Sequence, residues 1–563
     1  MTRNNHREHK VACILDKFSY ECFKFECHLE QLRPDAWEDQ MTKLKPDFLF
    51  VESAWRGVDN LWNGMLTSIG KKPGSEIRNV IRYCRENHIK TVFWNKDDDV
   101  KYDVFIDLAK LFDYVFTTDE NCIEKYKADL NHNRIFVLPF AAQPAIHHPI
   151  NRTFPAKRNI AFAGTWYAKN HHERIKDMEM ILNSAKPFGL DIFDRHHMQF
   201  NNRYRYPEQF QKHIVGSLDY KEIIERYKHY KIILNVNSVR DSPTMFSRRV
   251  FEILGSGTNV VSTYSRGIEQ LFAHLIPIVT SEEEAAKYLR FLLNNSEYRE
   301  RLSLLGIREI HSKHLYKHRF DEILNKIGIK SNHDSPAGVS VITCTTRINN
   351  MNNVFRNFQQ QAWQEKELIV ILNRDDLQKS EWRKRAKEFD NIYIYQLPEK
   401  KPLGKCLNYA VAKAKYDYIA KFDDDDYYAP NYLVDAMHAF RYSDADIVGK
   451  HAYYSYAENI QALTLRFARY ENQFVRFVAG PTLLIKKEVF NKVKWPNKDR
   501  GEDTEFLKEC HANGFKIYST DKYNFCYIRS IPENHTWGIG GLEFLQKGSI
   551  CLYTSDFKTH VTV

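Results

Sequence analysis

Four consecutive carboxylates follow a short apolar stretch and carry the clearest chemistry in the sequence. Residues 416–422 are mainly aromatic and aliphatic and are few enough for a buried strand, and the four aspartates at 423–426 come directly after them. Carboxylates at contact distance repel one another and raise one another's pKa. A hard divalent cation such as Mn2+ or Mg2+ removes this conflict, because it binds one or two carboxylates together with substrate phosphates. The alternative interpretation is an acidic turn that closes the strand.

The elements around the acidic run predict a mostly parallel sheet. Apolar runs predict strands over residues 339–345, 367–372 and 392–395. Apolar residues at helical spacing predict helices between them, one of which starts near Pro402. Alternating strands and helices indicate a parallel sheet, which binds ligands at the carboxyl ends of its strands. We therefore expect Asp375 and the four aspartates to lie along one edge.

The order of these motifs resembles the inverting glycosyltransferases of family 2, which have the GT-A fold, over about residues 339–529. The residues that carry the resemblance are Thr345-Thr346-Arg347, Asp375, Gly404, Asn408, the Asp423 and Asp425 pair of a DxD motif, Ala479-Gly480-Pro481-Thr482 and Gly501-Glu502-Asp503. A DxD pair alone is a weak signal. These elements in this order and spacing are a strong one.

The resemblance implies a donor site and a metal site at the sheet edge. It implies that a nucleotide-diphospho-sugar, with a UDP-sugar favoured, is held by Thr345, Arg347, Asp375, Asn408, Asp423 and Asp424. It also implies that the metal ligands are Asp425, Asp423 and His535, with Mn2+ or Mg2+ as the cofactor. His535 has an alternative interpretation as a structural or surface histidine.

The same resemblance implies a catalytic base and an acceptor side. An acceptor hydroxyl is a poor nucleophile at neutral pH, so a carboxylate must take its proton during attack. Asp503 matches the family's base, with Glu502 beside it, and Gly480 and Trp537 are placed on the acceptor side. Asp503 could alternatively cap a helix over residues 504–513, because aspartate is a favoured capping residue. Trp537 could equally be a core aromatic.

The first half of the chain has its own alternation of strands and helices. Strands are predicted over residues 11–15, 48–51, 91–94, 114–119 and 134–138. A second series begins with a strand that starts at residue 159 and precedes Gly164, and continues over 190–193, 231–236 and 259–262. A long helix over about 310–327 ends the series. Several of these strands end in polar clusters, which indicates a ligand edge. The pattern predicts two consecutive Rossmann-like units.

Four residues of the second unit are candidate donor-binding residues. Gly164 ends a predicted strand, where a glycine lets the backbone approach a ligand closely. Arg248 and Arg249 stand near a helix start, where arginines can clamp phosphate. Glu252 lies one helical turn further. The alternative is a surface i, i+4 ion pair on an ordinary helix.

Two Rossmann-like units before a final helix resemble the GT-B fold, and specifically the CgeB-like, spore-maturation type of glycosyltransferase. The resemblance rests on Lys45-Pro46-Asp47, Glu52-Ser53-Ala54-Trp55, Phe93-Trp94-Asn95-Lys96-Asp97, Phe116-Thr117-Thr118-Asp119, Ala163-Gly164-Thr165-Trp166-Tyr167 and Arg249-Val250-Phe251-Glu252. It implies that Glu252 holds the ribose of the donor. Retaining members often carry another glutamate eight residues earlier, where this chain has Thr244.

These motifs divide the chain into four segments. We expect a GT-B N-terminal Rossmann-like subdomain over residues 1–155 and a GT-B nucleotide-binding subdomain over 156–329. A polar linker with proline and glycine follows over 330–338. A GT-A family 2 domain is expected over 339–563. The predicted fold class is therefore α/β throughout.

Composition limits the kind of protein. The chain has 563 residues, enough for two to four domains, and 43% hydrophobic content, which excludes a disordered protein. A net charge of +10 without a dense basic block argues against nucleic acid as a partner. Ten scattered cysteines, no apolar leader and no long apolar run predict a soluble cytoplasmic protein. The inner face of the membrane, through peripheral contact, is an alternative location, and no oligomeric state is predicted.

The leading hypothesis is a bifunctional glycosyltransferase that adds sugars to a cell-surface polysaccharide, a teichoic-acid-like polymer or a spore-surface glycan. The acceptor would be a glycan or a lipid-linked glycan. A second hypothesis makes only the GT-A half catalytic, with the first half as a non-catalytic acceptor-binding module. A third is a sugar nucleotidyltransferase, although residues 345–349 lack the early glycine-rich, basic signature of such enzymes.

Overall fold

The chain forms two compact units in a computed structural model, which describes residues 8–67, 69, 75–152, 158–167, 172–198, 203–330, 337–529 and 548–563. The N-terminal unit comprises Met1–Pro149 and Pro155–Asn332. The C-terminal unit comprises Ile150–Phe154 and His333–Val563. The segment boundaries expected from the sequence remain predictions.

The N-terminal unit begins with a six-stranded sheet. Its strands are β1 (Lys10–Ile14), β2 (His28–Gln31), β3 (Phe48–Glu52), β4 (Lys90–Asn95), β5 (Tyr114–Thr117) and β6 (Ile135–Val137). Its helices are α1 (Lys17–Phe23), α2 (Trp37–Leu44), α3 (Glu76–Glu86), α4 (Tyr102–Ala109) and α5 (Ile123–Leu130). All pairings are parallel, in the order β2-β1-β3-β4-β5-β6.

A second six-stranded parallel sheet completes the N-terminal unit. Its strands are β7 (Arg158–Gly164), β8 (Leu190–Asp194), β9 (Ile214–Gly216), β10 (Tyr230–Asn235), β11 (Asn259–Thr263) and β12 (Ile278–Val279), in the order β12-β11-β10-β7-β8-β9. Its helices are α6 (His172–Ala185), α7 (Glu208–Gln211), α8 (Tyr220–Tyr227), α9 (Arg249–Gly255), α10 (Arg266–Phe272), α11 (Glu282–Asn294), α12 (Ser296–Lys313) and α13 (Tyr316–Lys326). The prediction of two Rossmann-like units is confirmed.

The end of the N-terminal unit differs from the sequence prediction. The single helix expected over 310–327 is two helices, because α12 ends at Lys313 and Leu315 forms an isolated bridge with Ala142 before α13 begins. Helix α13 then packs on α1, with the rings of Phe23 and Tyr316 4.9 Å apart. The break lets the last helix of this unit return to the first sheet.

The C-terminal unit contains an eight-stranded and a five-stranded sheet. Its strands are β13 (Val339–Thr345), β14 (Lys366–Leu372), β15 (Ile392–Gln396), β16 (Tyr418–Lys421), β17 (Tyr427–Tyr428), β18 (Ile447–Gly449), β19 (Tyr453–Ala457), β20 (Ala462–Arg466), β21 (Gln473–Val475), β22 (Leu484–Lys486), β23 (Ile517–Ser519), β24 (Phe525–Arg529) and β25 (Gly548–Tyr553). The orders are β15-β14-β13-β16-β22-β18-β23-β21 and β17-β24-β19-β20-β25.

Helices cover both faces of the larger sheet. They are α14 (Met351–Gln359), α15 (Lys379–Ala386), α16 (Leu403–Lys413), α17 (Tyr432–Ser443) and α18 (Glu502–Ala512), and the short α19 (Lys558–Val561) lies near the chain end. One apolar cluster joins the sheet to α14, α15 and α17, and another joins it to α16 and α18. Strands buried on both faces explain the nearly continuous apolar runs of β13 and β14. The predicted α/β class is confirmed. None of the helices in the described part of the chain has the length and apolarity needed to cross a bilayer.

Candidate active site

Strand β16 delivers the four aspartates to the carboxyl edge of the larger sheet. It runs parallel to β13, which in turn runs parallel to β14, so the three strands end at the same edge. Phe422 is buried and stacks on Tyr428, with ring centroids 3.8 Å apart. The backbone N–H of Asp423 donates to the Tyr428 hydroxyl at 2.8 Å. These contacts fix the turn from which the carboxylates project.

Arg347 and Thr345 hold the second and third aspartates. The Arg347 guanidinium lies 2.9 Å from Asp424 Oδ1 and 2.7 Å from Asp425 Oδ2. The Thr345 hydroxyl donates to Asp424 Oδ2 at 2.5 Å. Burial and the adjacent Asp425 raise the pKa of Asp424 to about 6, and Arg347 offsets part of that effect. Three predicted donor-site residues, Thr345, Arg347 and Asp424, therefore lie together.

A buried lysine links the first aspartate to the predicted base. Lys421 Nζ donates to Asp423 Oδ1 and to Asp503 Oδ2, both at 2.8 Å. Its side chain is only 4% exposed. Burial disfavours the ammonium, but attraction by the two carboxylates outweighs it and raises the pKa of Lys421 well above its usual value. Lys421 therefore brings the Asp423/Asp425 pair and Asp503 into one site.

Asp503 belongs to the first turn of α18 and does not cap it. The helix begins at Glu502, with Gly501 at the capping position, so the alternative of a helix over 504–513 capped by Asp503 is wrong. The carboxylate instead accepts from Lys421 at Oδ2 and from Trp495 Nε1 at Oδ1, 3.0 Å away. Both oxygens are held, which orients the carboxylate.

Glu502 provides a second carboxyl beside Asp503, in mostly buried surroundings. It is 7% exposed. Burial and repulsion from Asp503 raise the pKa of Glu502 to about 7, and attraction to Lys421 offsets part of that rise. A carboxyl of this kind exchanges a proton near neutral pH.

The fourth aspartate points into the protein. Asp426 Oδ1 accepts from the backbone N–H of Ile528 at 2.9 Å, and burial raises the pKa of Asp426 well above its usual range. The side-chain amides of Asn353 and Asn357 donate to the backbone carbonyl of Asp426. Asp426 therefore stabilises the turn, which leaves Asp423 and Asp425 as the partly exposed pair.

Two predicted donor-site residues have other partners. Asp375 is exposed and accepts from the backbone N–H of Glu399 at 3.2 Å. Asn408 bonds the backbone of Trp495 through both ends of its amide. Their roles in donor binding remain predictions. His535 and Trp537 lie outside the described residues.

The Asp423 and Asp425 carboxylates fit a hard divalent cation. Their side chains are 33% and 29% exposed, respectively, and they offer only oxygen ligands. Mn2+ and Mg2+ sites of this kind use one or two carboxylates and leave other positions to water and phosphate. Among the described residues, no group of three or more histidine, cysteine or acidic side chains is placed to hold a metal by itself.

Gly480 leaves room for the predicted base. A Cβ added at this position would lie 2.0 Å from Asp503 Oδ2. We expect Gly480→Ala to displace the carboxylate and to lower the sugar-transfer rate by at least about tenfold, since small displacements of a reacting group are costly. Steady-state kinetics and a thermal melt of the purified variant measure this. A folded variant with the wild-type rate would contradict the expectation.

The N-terminal unit contains a basic pocket at the end of β7. The cavity is about 200 Å³ and is lined by Gly164, Thr165, Arg174, Arg195 and Arg249, among others. The Arg174 guanidinium donates to the carbonyl of Thr165 at 3.1 Å, and Arg249 donates to the carbonyl of Ala163. Burial and the nearby Arg249 lower the pKa of Arg174. The pocket is suited to an anion such as phosphate.

Arg248 and Glu252 do not line this pocket. Arg248 Nε lies 2.9 Å from Glu252 Oε1, and the Tyr220 hydroxyl donates to the same oxygen at 2.8 Å. The Glu252 side chain is 5% exposed. The i, i+4 pair foreseen as the alternative exists, but its glutamate is buried and the pair is not a surface one. The predicted ribose contact of Glu252 remains a prediction.

Thr244 joins the two Rossmann-like units of the N-terminal unit. Its hydroxyl donates to the carbonyl of Thr118 at 2.8 Å and accepts from the backbone N–H of Glu120 at 3.0 Å. Ser242 donates to Asp119 Oδ1 at 2.6 Å beside it. The position at which the CgeB-like resemblance would often place a glutamate is therefore a threonine that bonds the segment after β5.

Asp98 is a buried carboxyl beyond the end of β4. Burial raises its pKa to about 7, despite hydrogen bonds from Thr117 and Tyr126 that lower it. Because this value exceeds the usual one near 4, folding favours the neutral form, and stability falls as pH rises from about 4 to about 7. Asp98→Asn removes this dependence. We expect its unfolding midpoint in urea, relative to wild type, to be higher at pH 8 than at pH 5.

The exposed neighbour Asp99 provides a control for this pH effect. Asp99→Asn removes one negative charge at an exposed position beside Asp98, so it measures the part of the change in midpoint that comes from neutralising a carboxylate without burial. Between pH 5 and pH 8 the free energy of unfolding of the wild type should fall by about 2–3 kcal/mol because of Asp98, at about 1.4 kcal/mol per pH unit. The Asp98→Asn variant should not show this fall. If the urea midpoints of Asp98→Asn and the wild type differ by the same amount at pH 5 and pH 8, the expectation is contradicted.

The sequence prediction missed four side chains of these sites. They are Lys421, Trp495, Arg174 and Arg195. Only Lys421 left a signal, since a lysine interrupts the apolar run immediately before the aspartates. Trp495 and Arg174 contact residues only eight and nine positions away, but no local sequence pattern marks these contacts.

Family models match both halves of the chain. Residues 146–325 match the family described as "Glycosyl transferase-like", and residues 340–494 match "Glycosyl transferase family 2". The chain carries two glycosyltransferase domains. The predicted enzyme class is confirmed, as is the predicted arrangement of a GT-B-like N-terminal part and a GT-A C-terminal part.

Single relatives match this chain only in part. The Escherichia coli "O-antigen biosynthesis glycosyltransferase WbnJ" is 34% identical over 139 residues, covering 23% of this chain and 54% of WbnJ, so the chain spans about half the length of that curated relative. The S. aureus TarS 1-349 structure in complex with UDP-GlcNAc is 17% identical, with 34% of this chain and 58% of that chain covered and a TM-score of 0.30. The mannosyltransferase PcManGT from Pyrobaculum calidifontis is 13% identical, with coverage of 38% and 64% and a TM-score of 0.28.

Proposed function

We propose that the C-terminal unit transfers a sugar from a nucleotide-diphospho-sugar to an acceptor hydroxyl with inversion. The observation that carries this proposal is the chain of contacts from Asp423 through Lys421 to Asp503. It places the carboxylates suited to a donor-bound cation beside a carboxylate suited to act as base. A direct displacement needs both groups on opposite sides of one sugar.

Each described residue has a separate task in this reaction. Asp503 takes the proton of the acceptor hydroxyl, and positioned bases of this kind contribute about 10²- to 10⁴-fold. Trp495 and Lys421 hold the two oxygens of that carboxylate in place. Glu502 lies beside Asp503 in the first turn of α18, where burial and repulsion from Asp503 raise its pKa to about 7.

The donor side is built by Thr345, Arg347 and the Asp423/Asp425 pair. Asp425, helped by Asp423, would hold Mn2+ or Mg2+, which neutralises charge on the diphosphate leaving group when bound. Arg347 contacts Asp425 and Asp424, so its guanidinium lies beside the carboxylates that would hold the cation. We propose a UDP-sugar as the donor.

The acceptor that we propose is a cell-surface polysaccharide, free or lipid-linked. The partial identity to WbnJ, an O-antigen biosynthesis enzyme, supports a surface glycan as the class of acceptor. A teichoic-acid-like or spore-surface polymer belongs to this class. The reaction would take place in the cytoplasm, where nucleotide sugars are made, or at the inner face of the membrane.

For the N-terminal unit we propose binding of a phosphate group in the arginine pocket. The CgeB-like type remains the specific relative that we propose for this unit. Two observations favour a non-catalytic role over a second transferase: Thr244 replaces the retaining glutamate, and Glu252 is buried against Arg248. No carboxylate occurs among the described residues that line the pocket. This favours a single transferase activity with an N-terminal binding module.

The test is transfer by the full chain with a panel of UDP- and GDP-sugars and a surface-glycan acceptor. We expect one product whose new linkage has the opposite anomeric configuration to the donor, as read by NMR. Asp425→Ala and Asp503→Ala should both abolish it, and the proposal fails if neither does. A second linkage that survives Asp503→Ala but is lost in Glu252→Ala would establish the bifunctional alternative.

A further inference from the structure

The geometry points to Asn408 and Trp495 as positioning residues that hold the Asp503 carboxylate for catalysis. This inference rests on the proposed function of the C-terminal unit. Neither residue would touch the donor or the acceptor. Asn408 acts on Trp495, and Trp495 acts on the base.

The contact between Trp495 and the base is direct. Trp495 Nε1 donates to Asp503 Oδ1 at 3.0 Å. The indole is 3% exposed and stacks on Phe506, with ring centroids 4.7 Å apart. It also packs against Phe490, whose ring is tilted by 35° at a centroid distance of 5.0 Å. Two aromatic neighbours therefore fix the ring plane, and the N–H can point only along that plane. An N–H held in this way fixes one oxygen of the carboxylate and leaves its other oxygen to Lys421.

Asn408 fixes the backbone of the same tryptophan. Asn408 Nδ2 donates to the carbonyl of Trp495 at 2.8 Å, and Asn408 Oδ1 accepts from its N–H at 3.1 Å. One amide side chain thus satisfies both backbone groups of a residue 87 positions away. These two bonds use one N–H donor and the oxygen of the amide, and together they fix the orientation of the Asn408 side chain.

The first residues of α16 contact the segment that directly follows Trp495. A Cβ at Gly404 would lie 1.8 Å from the carbonyl oxygen of Pro496, so only glycine allows this approach. The N–H of Gly404 donates to the carbonyl of Lys498 at 3.1 Å, and the N–H of Leu403 donates to Asp499 Oδ1 at 3.0 Å. The segment 495–499 is therefore held to α16 at several points. The glycine and asparagine that precede the acidic run in the sequence share this one structural task.

The first test is Trp495→Phe, which keeps the aromatic packing and removes the N–H. We expect kcat to fall by about 10- to 100-fold, as for other residues that orient a catalytic group. The KM for the UDP-sugar should stay within about twofold, because the donor side is untouched. An unchanged kcat in the folded variant would overturn the inference.

Trp382 offers a matched control in the same unit. It is fully buried, and its indole nitrogen has no hydrogen-bond partner among the described residues. Trp382→Phe makes the same chemical change without removing a bond to the base. We expect its kcat and KM to match those of the wild type, and an equal fall in kcat in both variants would reduce Trp495 to a packing role.

The second test separates the positioning role of Asn408 from donor binding. Asn408→Leu removes both bonds to Trp495, and we expect a fall in kcat with an unchanged Kd for UDP in the presence of Mn2+. The double variant with Trp495→Phe should be no worse than about the poorer single variant, since both act through one contact. A tenfold weaker UDP affinity with unchanged kcat would make Asn408 a donor ligand and overturn the inference. The variant Asp503→Ala separates failure of this inference from failure of the proposed function. If the proposed function is wrong, Asp503→Ala retains sugar transfer.

Discussion

We expect Asp503→Asn to lower the kcat of sugar transfer by about 10²- to 10⁴-fold, the usual contribution of a positioned general base. The amide has nearly the same shape as the carboxylate and can still accept from Trp495 Nε1, so the fold of α18 should persist. It cannot accept the proton of the acceptor hydroxyl. Binding of UDP with Mn2+ should remain as in the wild type, because Lys421 still pairs with Asp423 and the substitution is on the proposed acceptor side.

Glu505→Gln is the matched control for this variant. Glu505 also lies in the first turns of α18, but it is exposed and pairs with Lys498. Neutralising it should leave kcat within about twofold, since an exposed ion pair contributes little. A wild-type kcat in Asp503→Asn, or an equal loss in Glu505→Gln, would contradict the assignment of Asp503 as base.

Lys421→Met should destabilise the C-terminal unit by about 3–5 kcal/mol and abolish transfer. Breaking a buried ion pair from one side leaves uncompensated charge, and here the mostly buried Asp503 and the partly exposed Asp423 lose their shared cation. The pKa of Asp423 is already raised by burial, with Lys421 offsetting part of that rise. Without Lys421 the Asp423 carboxylate should become protonated more readily, so we expect the destabilisation to shrink as pH falls from 8 to 5. Urea unfolding at both pH values measures it.

A variant of a second buried lysine is the control that distinguishes a loss of stability from a loss of activity. Lys450 is 2% exposed, and its ammonium pairs with Asp521 at 3.3 Å. Its backbone bonds Ala479 and Thr482 beside Gly480, and the substitution leaves these backbone bonds in place. Lys450→Met should also destabilise the unit but should keep the wild-type kcat per folded molecule. Lys421→Arg should restore much of the stability, because it restores the cation. If Lys421→Met keeps the wild-type kcat per folded molecule, Lys421 does not serve the base.

The carboxyl edge of the larger sheet could be predicted from the sequence because its determinants are local. The apolar run before the aspartates and those at β13 and β14 each signal a buried strand, and parallel pairing must then bring their ends together. Thr345 and Arg347 meet Asp424 for this reason. The contacts of Lys421 and Trp495 with Asp503 were beyond sequence reasoning, since they join segments that no local pattern relates.

In the N-terminal unit the strands could be predicted from the sequence, but which side chains line the pocket could not. Its strands were predictable, yet the spacing of Arg248, Arg249 and Glu252 does not reveal which side chains face a pocket. The structure separates them: Arg249 lines the pocket at the end of β7, whereas Arg248 pairs with the buried Glu252. The sequence alone shows that Thr244 stands where the CgeB-like resemblance often has a glutamate. Its contacts with Thr118 and Glu120 could be seen only in the structure.

Calorimetric titration of the full chain with UDP, with and without Mn2+, tests the central claim most directly. We predict a Mn2+-dependent binding component that is lost in Asp425→Ala and retained in Asp503→Asn, because the first residue would hold the cation and the second would serve the acceptor. A component that needs no Mn2+ and persists in Asp425→Ala would belong to the arginine pocket, and Arg174→Ala should weaken it. Absence of any Mn2+-dependent component, or its survival in Asp425→Ala, would contradict a metal-assisted transferase at the four aspartates.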